Sequence, residues 1–445
     1  MRKRNSCDEK GQNHRVQKNE VIRMLDARII RENRKLVIDS LINRNRDTSI
    51  LDRFDDIDRA WKKAVDRRNT INRIRNESAI AISKLTGIER EKEIEEAKGI
   101  AAELKQVSDE IQKIEKEREE LLLYFPNIPA VNTPVGKSEE ENVIVGMPIE
   151  PRRLSFKPLP HYELCERLNM LDMKRGAKIT GSGFYVLEGE GARLERALIN
   201  YMMDMHRRQG YTEVQVPVIV RSKCALGTGT LPEKKDDMYW VEGEDLLLNP
   251  TAEVPVTNLL SEEILTKEEL PVYYTAYLRS FRKEAGKHVD LKGIGRVHEF
   301  NKVELVKFVE PDTKMEELRK LLNDAEEVVK GLNLPYRIKH LCTGDLGFSN
   351  EETFDIEVYA PGVDNWLEVS SCSSFGDFQA RRAHIKYRRA PHLKSEFVAT
   401  LNGSGLALPR TFIGVVENYQ LEDGRIEIPD VLRPYMGNEK VISLK

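Results

Sequence analysis

The sequence predicts an α+β protein, in which a projecting antiparallel pair of long helices precedes a larger domain built on a mainly antiparallel sheet flanked by helices. Three observations lead there. From Ile57 to Leu121 glycine is rare, proline is absent and apolar residues recur at 3-4 spacing. Pro126, Pro129 and Pro134 then end any helix. Beyond His161, short β-branched and aromatic runs dominate, and few of them are separated by a regular crossover helix.

At 445 residues the chain is long enough for two domains. Its net charge is only −3, so a polyanionic partner would have to be met by a local basic face. Cys7, Cys165, Cys224, Cys342 and Cys372 are scattered without a CxxC pair, which fits a reduced, cytoplasmic protein with neither a disulfide framework nor a zinc site. No apolar run approaches the roughly 18 residues of a membrane span. Residues 1–23 form a polar leader without the apolar stretch of a secretory signal, expected to be disordered.

Residues 24–130 are expected to form an N-terminal domain carrying a helical hairpin from about 57 to 122. In its second arm Ala97, Ile100, Leu104, Val107, Ile111, Ile114 and Leu121 make a narrow seam that Arg118 interrupts. In the first arm Ile57, Trp61, Ala64, Ile71, Ser78, Ile82 and Leu85 keep the same register, with Arg68 and Arg75 at seam positions. A break near Thr86-Gly87 lets the arms fold back and bury both seams as a coiled coil. From Asp58 to Lys84 basic residues outnumber acidic ones eight to three, whereas from Glu89 to Glu120 acidic residues lead twelve to seven. The first helix, with Arg59, Lys62, Lys63, Arg67, Arg73 and Arg75, is therefore the candidate polyanion face; an ordinary solvated surface is the competing reading, and Arg75 also fits the seam.

Residues 131–160 read as an extended linker, and residues 161–445 as the second domain. Strands are expected at YTEVQVPVIV, YYTAYLRSF, RVHEFNKVELVKF, TFDIEVYA, WLEVSS and EFVATLNGSG, and helices around Arg193–His206, Lys314–Val329 and Thr411–Tyr419. There is no GxxxxGK[ST] loop or Rossmann fingerprint, so any nucleotide must be bound by other means.

The densest charge pattern is RSFRKEAG, a short loop and RVHEFNKVE. Period-2 alternation puts Arg282 and Glu284 on one face of a strand, and Glu304 with Lys302 and Phe300 on one face of the next. This arrangement resembles motif 2 of class II aminoacyl-tRNA synthetases in its seryl form. Gly227-Thr228-Gly229, Leu231-Pro232 and Asn249-Pro250-Thr251-Ala252-Glu253 resemble that family's amino-acid pocket, and Glu368-Val369-Ser370-Ser371 followed by GDFQARR resembles its ATP and metal strand. Asn402-Gly403-Ser404-Gly405 with Pro409-Arg410-Thr411 resembles motif 3. The likeness runs from about Met24 to near Lys445. It departs from the family's usual CSNCGDFQ at Cys372-Ser373-Ser374-Phe375, which bears on pocket shape alone.

The resemblance implies a serine–tRNA ligase that activates L-serine with ATP and Mg²⁺, works as a homodimer through GYTEVQVPVIV, and charges tRNA(Ser), with tRNA(Sec) open as a second acceptor. It assigns catalysis to Arg282, Glu284 and Arg410. Serine would meet Thr251, Ala252, Glu253, Arg282, Glu304, Asn402 and Ser404. ATP would meet Arg282, Lys283, Glu284, Val297, Phe300, Glu368, Val369, Ser370, Ser371 and Arg410, with Glu368 and Ser371 as metal ligands. A guanidinium suits Arg282, because its planar fork bridges carboxylate and phosphate oxygens. Phe300 has two readings, an adenine platform or a core aromatic. The basic first helix would grip the long variable arm of the tRNA.

Overall fold

The computed structural model describes residues 27–284 and 292–444. The leader and part of the loop inside motif 2 therefore lie outside the described residues. Two short helices, α1 (Ala27–Glu32) and α2 (Arg34–Asn43), precede the hairpin of α3 (Ile50–Ile82) and α4 (Gly87–Leu122). Its base is a compact apolar cluster in which Ile30, Val37, Leu41, Leu51, Phe54, Leu121, Leu122 and Phe125 are buried. Farther out the seam thins to Ala64, Ile71, Val107 and Ile111, and nearer the tip Ile80 and Ile88 are exposed. The arm is thus held from its base.

The interruption at Arg118 has a structural reason. Its guanidinium lies 4.5 Å from the centre of the Trp61 ring and 4.0 Å from the buried Asp58 carboxylate, which also pairs with Arg31 and, at 3.0 Å, with Lys62. The six basic residues singled out on the first helix are all exposed. Arg75, despite its seam position, sends its long side chain to solvent.

Residues 131–160 do more than link. They pack along the second domain, with Thr133 Oγ1 donating to Glu351 O at 2.8 Å, and supply the edge strand β1 (Val143–Ile149). This corrects the reading of the segment as an extended linker: the helix ends at Leu122, ahead of Pro126, Pro129 and Pro134, but VIVGMPI still offers a β-branched run that pairs with the sheet. The sheet continues through β2 (Thr212–Glu213), β3 (Val272–Phe281), β4 (Glu299–Val309), β5 (Tyr336–His340), β6 (Glu352–Ala360), β7 (Asn365–Ser374) and β8 (Ala399–Ala407). Their order is β1-β5-β6-β7-β8-β4-β3-β2, antiparallel except for the β2–β3 pair. The expected strand YTEVQVPVIV is broken. Only Thr212–Glu213 joins the sheet, because Pro217 lacks a ladder donor and Val216 turns into the core.

Among the domain's helices are α5 (His161–Arg167), α6 (Gly189–Arg208), α7 (Lys314–Gly331), α8 (Phe378–Ala383) and α9 (Leu408–Asn418). Leu194, Leu198, Leu321, Val328, Phe412 and Val416 from α6, α7 and α9 cover one sheet face against Val303, Leu305 and Val309. A second cluster around Val306 and Phe308 takes in Ala380 of α8. Between these supports the strand ends open onto one polar cleft.

Candidate active site

The cleft has a volume of about 660 Å³ and is lined by residues of both arms of the motif 2 hairpin, of β6, β7 and β8, and of the loop at 229–238. Its floor is a buried polar network on β4. Glu304 is fully buried and forms an ion pair with Lys302, while Thr251 Oγ1 donates to Glu304 Oε2 at 2.6 Å and Asn402 Nδ2 to Oε1 at 2.9 Å. Lys302 also donates to Thr251 Oγ1 at 2.8 Å. Glu304 pairs in register with Ser404 of β8, so the antiparallel ladder brings motif 2 and motif 3 together.

Glu253 stands beside this network. Burial, and next the Glu304 carboxylate, push its carboxyl up from 4.5 to about 7, against the opposite pull of Lys302 and of Gln379. Gln379 Nε2 donates to Glu253 Oε1 at 2.6 Å, and its Oε1 accepts from Thr400 at 2.8 Å.

The strand carrying motif 2 ends earlier than its alternation suggests. β3 stops at Phe281; Arg282 N still bonds to His298 O, but Lys283 N turns to Asp237 O, and Glu284 takes a left-handed φ of 50°. Arg282 and Glu284 therefore share the cleft as a turn and not as a strand face. Arg282 Nε donates to Pro250 O at 3.1 Å, its guanidinium lies 5.1 Å from the centre of the Phe300 ring, and Glu284 faces Arg296 at 3.7 Å.

At the other end, Arg410 opens α9 just after Pro409 and donates to Glu368 O at 2.9 Å, with Glu368 Oε2 at 3.4 Å. Glu368 and Ser371, three residues apart, both line the cleft because the β6–β7 register slips between Ile356 and Glu357, leaving Val369 bulged out of phase. Opposite Ser371 sits Asp355, whose buried Oδ1 has no hydrogen-bond partner. Burial and the Glu368 charge raise its pKa well above the usual carboxylate range. Among the described residues no three acidic, His or Cys side chains form a self-contained metal cage. Two carboxylates and a hydroxyl instead match a hard cation that shares its coordination with phosphates.

Of the residues expected here, Thr251, Glu253, Arg282, Glu284, Glu368, Ser371, Asn402, Ser404 and Arg410 line this one cleft, and Glu304 lies fully buried beneath it. Others do not. Ala252, Val297 and Val369 place their side chains in the core, and the Ser370 hydroxyl is engaged at 2.6 Å by Ser404 O. Lys283 points outward over Tyr239, and Phe300 borders a separate hollow of about 380 Å³. The sequence reading gives no site role to Lys302, Asp355, Gln379 or Arg296. Lys302 and Asp355 were legible in principle, one by its shared face with Glu304, the other as an acid on a buried strand.

Known proteins agree with this geometry. Residues 24–129 match the model for the seryl-tRNA synthetase N-terminal domain, and residues 239–419 the model for the tRNA synthetase class II core domain (G, H, P, S and T). The chain is 49% identical to a serine–tRNA ligase of Methanosarcina barkeri, over 94% of this chain and 99% of that one. It is 47% identical to a serine–tRNA ligase of Geobacillus kaustophilus, covering 94% and 100%. Among solved structures, seryl-tRNA synthetase from Pyrococcus horikoshii complexed with ATP superposes with a TM-score of 0.91 at 35% identity, over 95% of this chain and 100% of that one. The cytoplasmic serine–tRNA ligase of Naegleria fowleri in complex with AMP gives 0.85 at 30%, over 95% and 99%. With its arm and its antiparallel core matched over nearly the full length, this chain belongs to the seryl-tRNA synthetase family.

Proposed function

We propose that the chain activates L-serine with ATP, releasing pyrophosphate, and transfers the seryl group from the adenylate to the 3′-terminal adenosine of tRNA(Ser). The observation that carries this reading is the meeting, in one cleft, of cationic Arg282 and Arg410 with the half-buried acid Glu253, above the fully buried Glu304. The serine carboxylate attacks the α-phosphorus as the bond to pyrophosphate breaks. Arg282 lies where it can neutralise both anions and the charge that builds on phosphorus. Glu284 accepts from the adenine amino group, and Arg410 holds the terminal phosphates. Glu253 takes the serine ammonium, and Thr251, Glu304 and Ser404 surround the hydroxyl. In the second step a ribose hydroxyl of the terminal adenosine attacks the acyl carbon, and AMP leaves.

Glu368, Ser371 and Asp355 would hold Mg²⁺, which supplies charge neutralisation on the phosphates. The exposed basic side of α3 takes the tRNA backbone. Two copies pair at the β2 edge of the sheet, where residues 210–220 leave Ile219 exposed; a monomer by sedimentation at micromolar concentration would refute the pairing. Among the described residues no helix is long and apolar enough to cross a membrane, and we assign the enzyme to the cytoplasm. ATP–pyrophosphate exchange against a panel of amino acids tests the activity. Exchange driven best by an amino acid other than serine overturns it, and parallel charging assays with tRNA(Ser) and tRNA(Sec) define the acceptor.

A further inference from the structure

Three arginines tie the base of the arm to the walls of the cleft. Arg44, just after α2, donates to Gly347 O at 3.0 Å and also to Asn350 O, and Arg46 pairs with Glu233. The third, Arg382 of α8, lies in the second domain and is 3% exposed. Its Nη2 donates to Leu123 O, at the C-terminal end of α4, at 3.0 Å. Its Nη1 reaches Leu231 O at 3.3 Å and Leu226 O at 3.5 Å. The Phe378 and Phe348 ring centres lie 4.3 and 5.4 Å from its Cζ. Burial lowers its pKa to about 9. A buried guanidinium held by carbonyls alone is costly to desolvate, and an apolar side chain would fill the space more cheaply. What the guanidinium adds is a planar fork that can grip several carbonyls at once.

Those carbonyls are not arbitrary. Leu226 and Leu231 bracket the short loop that brings Gly229 and Thr230 to the cleft. One turn earlier on α8, Gln379 donates to Thr228 O at 3.2 Å as well as to Glu253, so the same short helix fixes both the loop and the acid beside it. Gly229 has φ +79°, and a Cβ there would come within 2.9 Å of the Phe378 ring and 3.1 Å of Ser349 Cβ. The loop is therefore seated on α8 and on the segment that Arg44 holds.

We infer that Arg382 is a positioning residue for the serine half of the cleft, and that it makes the 226–231 loop and the base of the arm a single mechanical unit. The inference rests on the assignment of the Glu253 side to serine. The pH profile of serine kcat/KM in the unaltered enzyme and in Glu253→Gln tests that assignment alone, so the two can fail separately. Arg382→Met removes every donor, and Arg382→Lys keeps the charge but offers one nitrogen in place of a fork, which guards against a variant that does not fold. The KM values for serine and ATP are measured separately in pyrophosphate exchange, and amide hydrogen exchange is followed by peptide on the full chain. In either folded variant serine KM should rise about tenfold or more while ATP KM stays within about twofold, the signature of a displaced serine pocket. Amides in 224–232 and 120–126 should exchange faster together, with β4 and β8 unchanged. The inference is overturned by an unchanged serine KM, by equal losses for both substrates, by faster exchange in only one of the two segments, or by faster exchange throughout the domain.

Discussion

Glu253 should make serine use depend on pH in a way that ATP use does not. Its carboxyl is raised from 4.5 to about 7, first by burial and then by Glu304, so near neutrality the free protein holds it about half protonated. A serine ammonium beside it favours the carboxylate, and serine binding should therefore release a proton. kcat/KM for serine should climb about tenfold per pH unit well below 7 and flatten above about 8. Ionising the group in the free cleft costs about 3 kcal/mol relative to water. The stability of the free protein should run in the opposite sense. A raised folded-state pKa gives a contribution fully present below 4.5 and lost as pH rises through about 7. Serine should accordingly protect against unfolding more at pH 8 than at pH 6. Glu253→Gln keeps an acceptor for Gln379 but removes the charge. It should abolish the pH break and lower serine kcat/KM by roughly thirtyfold, about 2 kcal/mol for one charge-assisted hydrogen bond. The assay is pyrophosphate exchange over pH 5.5–8.5 with ATP saturating. A flat serine profile in the unaltered enzyme, or the same break surviving in Glu253→Gln, would show that this carboxyl does not receive the ammonium.

Arg282→Ala should lower adenylate formation by about 10²-fold or more with little change in melting temperature, because its half-exposed side chain serves the transition state and not the core; normal exchange in that variant removes Arg282 from the chemistry. Lys302→Met leaves Glu304 buried without its ion partner and should destabilise the protein by about 3 kcal/mol in urea titrations, whereas an unchanged midpoint would mean that Thr251 and Asn402 suffice. Replacing residues 66–107 by a short flexible link keeps Asp58, Trp61 and Arg118 at the base of the arm. Serine-dependent exchange should then stay within about twofold, while serylation falls by about 10²-fold or more and the salt dependence of tRNA binding flattens by about one unit per lost phosphate contact. Undiminished serylation would mean that the arm is not the tRNA handle.

Sequence periodicity exposed the long elements because their burial is periodic. The α3–α4 seam, β3, β4, β6, β7 and β8 all lie close to where alternation puts them. It failed where the backbone leaves its period. The bulge at Val369 puts Glu368 and Ser371 into one cleft although strict alternation would part them, and the turn after Phe281 takes Arg282 and Glu284 off the strand. Residues 131–160 were misread for the opposite reason, since prolines announce a break in helix but say nothing about a later strand adding to a sheet edge. Gln379 and Arg382 stand within GDFQARR, but the sequence gives neither a role of its own. Their roles depend on carbonyls more than 120 positions away in sequence, and a carbonyl carries no side-chain signature.

The structure also changes the argument for how serine is told from alanine. Were Thr251 and Glu304, which the family resemblance assigns to serine, free of other partners, an alanine substrate would strand both unpaired. In the folded protein they already satisfy one another. Glu304 accepts from Thr251, Lys302 and Asn402, which engages three of the roughly four sites a carboxylate offers. At most one acceptor site is left for a further donor. Alanine would leave only that site dry, at about 1–3 kcal/mol, and would not collapse the network. Discrimination by this contact alone is then roughly 10- to 100-fold, well short of what a site with several open partners would give. The rest must come from excluding water, so that the site an alanine leaves unpaired cannot be satisfied by solvent. That task falls to the packed loop over the cleft, and so to the guanidinium of Arg382 that holds both its ends.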